Sequence, residues 1–393
     1  MLTFRRALLA AAIFLSFLYI LSRSHNSPDI LEDPAFPPAK AVPDDGMQYA
    51  SSSQSSSTAA AANANNEVTA AGGSEKEESA VDAVADAGTG AEHNQKPLLD
   101  MTKLSLVEKL AYQHPYDVET KFPAYIWQTW KYTPADSRFK FREEEATWTK
   151  LNPGFTHEVI TDDVAANLVK LYYASVPEVL EAYEALPMPV LKADFFRYLI
   201  LLARGGVYSD IDTAAIKSAV EWIPASVPHE AIGLVIGIEA DPDRPDWHDW
   251  YSRRIQFCQW TIQSKPGHPV LREVVAAITE EALRKKRSGL LAGFKDKNVI
   301  EFTGPAVWTD VIFDYFNDAR YFDMSASKGP IDWHNFTGMT AIKKVGDVIV
   351  LPITGFSPGV GQMGAGDYDD PLAFVRHIFS GSWKPEKERH IGG

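Results

Sequence analysis

Past residue 100 the chain alternates short apolar runs with longer amphipathic stretches. Ala124–Gln128, after Pro123, is a compact apolar run and predicts a first buried strand. The turn Asn152-Pro153-Gly154 precedes a second strand at His157–Thr161. Asp162-Asp163 then opens a helix to about Leu171. Pro177–Leu186 predicts another helix, with Ser175 as its cap. Val190–Arg204 predicts a third, with Leu191, Phe195, Tyr198 and Leu202 on its core face and Asp194 and Arg197 three apart, able to pair. Gly205 stands where a left-handed C-terminal cap belongs. Gly206-Val207-Tyr208 begins a strand that runs out into Ser209-Asp210-Ile211-Asp212. Gly233–Glu239 and Val345–Leu351 predict further buried strands, and residues 261–285 a pair of helices around Pro266-Gly267. Alternating strands and helices imply an α/β fold with a mainly parallel sheet.

The first 100 residues differ. Ala7–Leu21 carries no charge, follows Arg5 and Arg6, and is followed by Arg23. It is too long for an ordinary signal-peptide core and short for a full span of about 20 residues. No convincing cleavage site follows, and the preceding arginines hold the N-terminus in the cytosol. The expected layout is a cytosolic tail (1–6), a signal-anchor helix (7–22), a disordered lumenal stalk (23–100) and a lumenal globular domain (101–393). Residues 24–100 carry 13 acidic residues against three lysines and include a Ser/Ala-rich tract, so they bury too little apolar surface to fold alone. All ten tryptophans lie at or beyond Trp127.

Composition removes several classes. A net charge of −14 argues against nucleic acid as a partner. The single cysteine, Cys258, rules out an intrachain disulfide framework, and its apolar setting predicts a buried thiol rather than a nucleophile. Asn335-Phe336-Thr337 is an N-glycosylation sequon.

Three Asp-x-Asp pairs compete for attention. Asp241/Asp243 and Asp367/Asp369 fall in loops and are expected to be surface residues. Asp210/Asp212 directly follows a buried strand, where open α/β sheets bind ligands. Two carboxylates there either share a hard divalent cation or form a solvated turn that caps a helix. Near the C-terminus, His377, Gly381 and Lys384 either grip a metal and diphosphate or belong to a partly buried aromatic cluster.

KADFFRYLILLARGGVYSDIDT resembles the signature of the Asp-x-Asp sugar transferases, glycosyltransferase family 32. FPAYIWQTWK, the stretch at 233–273, LPITGFSPGVGQMGA and AFVRHIFSGSWK are similar to the family's fungal α-1,6-mannosyltransferases. The resemblance covers nearly all of residues 120–385. It implies a GT-A fold, with a Rossmann-like nucleotide-sugar half joined to an acceptor half. It also implies GDP-mannose as donor with Mn²⁺ (or Mg²⁺). On matching residues, Asp210, Asp212 and His377 would hold the metal. Asp194 and Arg197 would lie near the nucleotide and donor sugar, Ile126, Trp127 and Gln128 would line the nucleotide pocket, and Lys384 would serve the diphosphate. Glu239 is the residue expected near the reacting face or acceptor. Both a nucleophile and a front-face route to a retained α-linkage stay open. The implied protein is a single-pass type II Golgi enzyme that starts an outer mannan chain on the core N-glycan of glycoproteins, alone or in a mannosyltransferase complex. An inositol-phosphoceramide acceptor and a catalytically silent lectin or assembly subunit are the rival expectations.

Overall fold

The computed structural model describes residues 30–31, 36–40, 100–294 and 297–382. The tail, the anchor at 7–22, most of the stalk and Lys384 lie outside the described residues. The chain divides into residues 1–46 with 104–393, and 47–103; in the latter a single 3₁₀ turn, Met101–Lys103, is described.

The strands in chain order are β1 (Ile30–Leu31), β2 (Tyr125–Thr129), β3 (Thr156–Ile160), β4 (Gly206–Ser209), β5 (Thr213–Ala215), β6 (Leu234–Ala240), β7 (Gln256–Phe257), β8 (Thr261–Ser264), β9 (Ile342–Val345), β10 (Val348–Leu351) and β11 (Val375–His377). The main sheet has the order β1-β9-β10-β6-β8-β4-β2-β3, with β7 attached to β6. Strands β2, β3, β4, β6 and β10 run one way; β8 is inserted antiparallel between β4 and β6. The result is a mixed α/β fold with a mainly parallel sheet. A separate two-stranded ribbon pairs β5 with β11.

Alternation along each strand builds two cores. On β2, β4 and β6 one face (Trp127, Tyr208, Leu234, Ile236, Ile238) joins the larger cluster and the other (Ile126, Val207, Val235) joins a smaller one with Trp148, Trp222 and Phe356. The helices are α1 (Leu106–Gln113), α2 (Arg142–Leu151), α3 (Asp162–Tyr172), α4 (Pro177–Ala185), α5 (Pro189–Arg204), α6 (Pro269–Arg287), α7 (Lys297–Phe302), α8 (Pro305–Phe316) and α9 (Ile353–Phe356). Helix α6 packs against α1, α4, α5 and α8. Leu191, Phe195, Tyr198 and Leu202 of α5 are all fully buried, as the helical spacing predicts.

Four local expectations are corrected. Residues 261–285 are not a helix pair: Thr261–Ser264 is strand β8, and Pro266-Gly267 turns it into α6. Gln263 and Ser264 are buried by hydrogen bonding within the sheet, so polarity concealed the strand. Ser175 does not cap α4. Its hydroxyl bonds Gln113, and Val176 occupies the cap position. Gly205 has φ 61° and ψ −163°, outside the left-handed helical region though still in backbone space open essentially to glycine. A Cβ there would lie 2.7 Å from Pro266 Cδ. Finally, the folded part does not begin at residue 101. Ile30–Leu31 pairs in parallel with Ile342–Lys343, Lys40 N donates to Tyr321 O (2.8 Å), and the Phe36 ring lies 5.6 Å from Phe336. This acidic, low-aromatic segment offers few side chains to a core, but main-chain pairing at a sheet edge needs few. Among the described residues no helix is long and apolar enough to cross a membrane.

Candidate active site

A cavity of about 1050 Å³ opens beyond the carboxyl ends of β2, β4 and β6. Three devices bring functional groups into it. Strand β4 ends at Ser209, and the turn Asp210–Thr213 is closed by Thr213 N donating to Asp210 O (3.1 Å). The chain re-enters as β5, whose partner β11 sets His377 opposite Thr213. Helix α5 brings Asp194 and Arg197 underneath.

Asp210, Asp212 and His377 present ligand atoms all within 4.8 Å of one another. His377 Nε2 lies 3.1 Å from Asp212 Oδ1, while Ser380 donates to Asp212 Oδ2 from both its amide (3.0 Å) and its hydroxyl (2.8 Å). Burial pushes the Asp212 carboxyl up, but the His377 contact and the two Ser380 bonds outweigh it and hold it at about 2. Phe379 turns the chain back toward Asp212 with φ 53°, a left-handed backbone unusual for a bulky residue, and its ring lies 4.1 Å from His377.

Arg197 NH2 lies 2.9 Å from Asp194 Oδ1 and 3.0 Å from Asp210 Oδ1, and the Tyr208 hydroxyl donates to the same Asp210 oxygen (3.1 Å). Asp210 Oδ2 has no protein hydrogen bond among the described residues. Arg197 is 3% exposed, yet its Nε and NH1 are buried without a partner. Burial raises Asp194 to about 6 against the opposing Arg197 charge, and Thr303 and Gln259 donate to it. Glu239 accepts from Gln256 Nε2 (3.0 Å), and burial raises its carboxyl.

The cavity wall contains Asp194, Arg197, Asp210, Asp212, Glu239 and His377. It does not contain Ile126, Trp127 or Gln128. Ile126 is in the core, Trp127 Nε1 donates to Gly205 O, and Gln128 Nε2 donates to Asp210 O. The chain reaches the cavity directly after them, through Thr129, Trp130 and Lys131. Gln128 therefore supports the acidic turn from behind. Sequence reasoning missed Ser380, although it lies three residues beyond His377, and missed Tyr208, Gln256 and Gln259, whose polarity carries no signature. Asp241 departs from the expected surface loop: it is buried and bonded to Arg254, Thr337 and Gly338. Asp367 and Asp369 are exposed in a loop, and Cys258 is fully buried.

The residues fit a divalent cation. The cavity wall carries five carboxylates (Asp162, Asp194, Asp210, Asp212, Glu239) and two permanent cations (Lys131, Arg197). Such a surface repels a diphosphate unless a dication stands between them. The His377–Asp212 separation of 3.1 Å also matches the roughly 3 Å between adjacent ligands of an octahedral ion with bonds of about 2.1 Å.

An acidic turn at the end of a parallel strand, backed by an Arg-bearing helix, fits a glycosyltransferase of the Asp-x-Asp kind, and comparison with known proteins agrees. Residues 139–228 match the model of the glycosyltransferase sugar-binding region containing a DXD motif. An initiation-specific α-1,6-mannosyltransferase of Candida albicans is 48% identical, over 72% of this chain and 79% of its own. Its counterpart in Schizosaccharomyces pombe is 45% identical over 72% and 68%. That of Saccharomyces cerevisiae is 34% identical over 73% and 83%. The chain belongs to the family of initiation-specific α-1,6-mannosyltransferases, and is a glycosyltransferase.

Proposed function

We propose that the protein transfers mannose from GDP-mannose, with retention, in α-1,6 linkage to the core N-linked oligosaccharide of glycoproteins. The observation that carries this reading is the Asp210–Asp212–His377 cluster beside the unpartnered, buried Nε and NH1 of Arg197. A divalent cation, Mn²⁺ or Mg²⁺, would be held by Asp210 Oδ2, Asp212 and His377, and when bound it supplies charge stabilisation for the departing diphosphate.

The protein groups do the rest. Arg197 keeps two buried donor nitrogens without a protein partner, and its NH2 ties Asp210 to Asp194. Ser380 fixes Asp212. Trp130 and Lys131 line the β2 end of the cavity, which suits the nucleotide. We assign Glu239, oriented by Gln256, to the reacting face of the sugar or the acceptor hydroxyl, and Lys384 to the diphosphate. The uncharged run at 7–22 supports a type II anchor, with the enzyme in the Golgi lumen.

The test uses the full-length chain with GDP-mannose, Mn²⁺ and a high-mannose N-glycan core. GDP release and product linkage are measured, with Asp212→Ala as control. One added α-1,6-mannose, lost in EDTA and in the variant, is the expected result. Transfer only to inositol-phosphoceramide would overturn the acceptor, and donor binding without transfer to either would overturn the enzymatic reading.

A further inference from the structure

A second depression, of about 450 Å³, is walled by Asp243, Arg244, Trp247, Arg254 and Trp333, with the 65%-exposed Trp250 beside it. It shares one hairpin with the catalytic cavity. Its ascending limb, β6, carries Glu239 into the catalytic cavity, and the loop that follows carries Asp243 into the depression. Its descending limb brings Arg254 to the depression and, two residues later, Gln256 to Glu239. Asp243 lies four positions after Glu239, at most about 14 Å of extended chain. Asp241, between the two, is buried and pinned by Arg254 (3.0 Å), Thr337 (2.9 Å) and the Gly338 amide (2.6 Å). The base of the connecting loop is thereby fixed beside the turn that carries Trp333.

The chemistry of this depression is unusual for a surface. The Arg254 guanidinium lies 4.4 Å from the Trp333 ring centre, and that of Arg244 lies 4.8 Å from Trp250. Arg244 is also held by both oxygens of Asp246. Asp243 makes no hydrogen bond or ion pair among the described residues. His334 stacks on the Trp333 ring as well, at 3.6 Å, so the indole offered to a ligand is that of Trp247. An indole, guanidinium donors and a free carboxylate acceptor suit a neutral polyhydroxylated ligand, whose C–H face stacks on an aromatic ring while its hydroxyls bond charged groups. Such a ligand gains from each feature, whereas a purely apolar partner would leave Asp243 and the guanidinium edges unmatched.

We infer that this depression is an acceptor subsite, which holds a non-reacting mannose arm of the oligosaccharide while another arm reaches Glu239. The inference rests on the proposed glycan acceptor. Trp247→Ala and Asp243→Asn are made in the full-length chain, with melting temperature confirming the fold. KM and kcat are measured for a high-mannose N-glycan core and for methyl α-mannoside, alongside GDP-mannose hydrolysis. Each variant should raise KM for the branched glycan about tenfold, near 1.4 kcal/mol, and leave its kcat, the small acceptor and hydrolysis unchanged. Unchanged KM for the branched glycan, or equal losses on both acceptors, overturns the subsite. If the wild type transfers to no glycan, saturation-transfer NMR of the same glycan decides. Saturation of its resonances, lost in Trp247→Ala, sustains the subsite while the transfer reading fails. No saturation removes the subsite.

Discussion

Ser380→Ala isolates the support of the acidic turn from the turn itself. The serine hydroxyl donates to Asp212 Oδ2 at 2.8 Å, and the substitution deletes that bond while keeping the backbone donor at 3.0 Å. A hydrogen bond to a charged group contributes about 1.5–3 kcal/mol. The backbone bond persists, so the loss falls at the lower end. At 1.36 kcal/mol per decade this is about tenfold in affinity, the lower bound for losing an outer-shell partner of a metal ligand. The Asp212 carboxyl stays ionised at neutral pH because His377 still faces it. Mn²⁺ binding, followed by electron paramagnetic resonance of the free ion, should weaken about tenfold. Turnover at saturating Mn²⁺ should recover most of its wild-type value. Unchanged Mn²⁺ affinity would refute the claim that Asp212 is a ligand oriented by Ser380. Loss of turnover that saturating Mn²⁺ does not restore would show that Ser380 acts on the substrate instead.

Other predictions follow from the same geometry. Chelation with EDTA should abolish sugar transfer, and Asp210→Ala should abolish it too while lowering the melting temperature, because the substitution removes a carboxylate partner of the buried Arg197. Asp347 is buried beside His268 (3.3 Å) and accepts from the hydroxyls of Tyr315 (2.8 Å) and Tyr116. Burial pushes its carboxyl up, but His268 and the tyrosines hold it down at about 2. Because the folded value lies below the unfolded one, this stabilisation is complete above about pH 4 and is lost as pH falls through about 2, a total of roughly 2–3 kcal/mol. Denaturant titrations of wild type and Asp347→Asn should differ by about that amount at neutral pH and converge toward pH 2. Gly206→Ala places a Cβ 2.7 Å from Tyr125 O at φ 96°, so it should break β2–β4 pairing and cost at least about 1–3 kcal/mol, read as a lowered melting temperature.

Local pattern was sufficient for much of the fold. Strands β2, β3, β4 and β6 and helices α3 to α5 lie within a residue or two of the sequence expectation, because apolar periodicity and Gly/Pro punctuation are properties of neighbouring residues. The late apolar run at 345–351 proved to be the second limb of a hairpin. Its first limb, Ile342–Val345, was hidden by two partly buried lysines, Lys343 and Lys344, in the middle of the strand. The polar strand β8 was hidden for the same kind of reason: its partners lie at Gly206–Ser209 and Leu234–Val235.

The sequence by itself determined that Asp210 and Asp212 leave a buried strand, and that Asp194 and Arg197 share a helix face. Both are consequences of spacing within one element. Only the tertiary structure decided what those groups touch. The pairing of β11 with β5 carries His377 and Ser380 across more than 160 positions to Asp212. The β6–β7 hairpin joins Glu239 to the tryptophan-lined depression. The β2 turn exchanges Ile126–Gln128 for Trp130 and Lys131 at the cavity wall. Contacts between distant segments depend on sheet order and register, and these are set by the packing of the whole core.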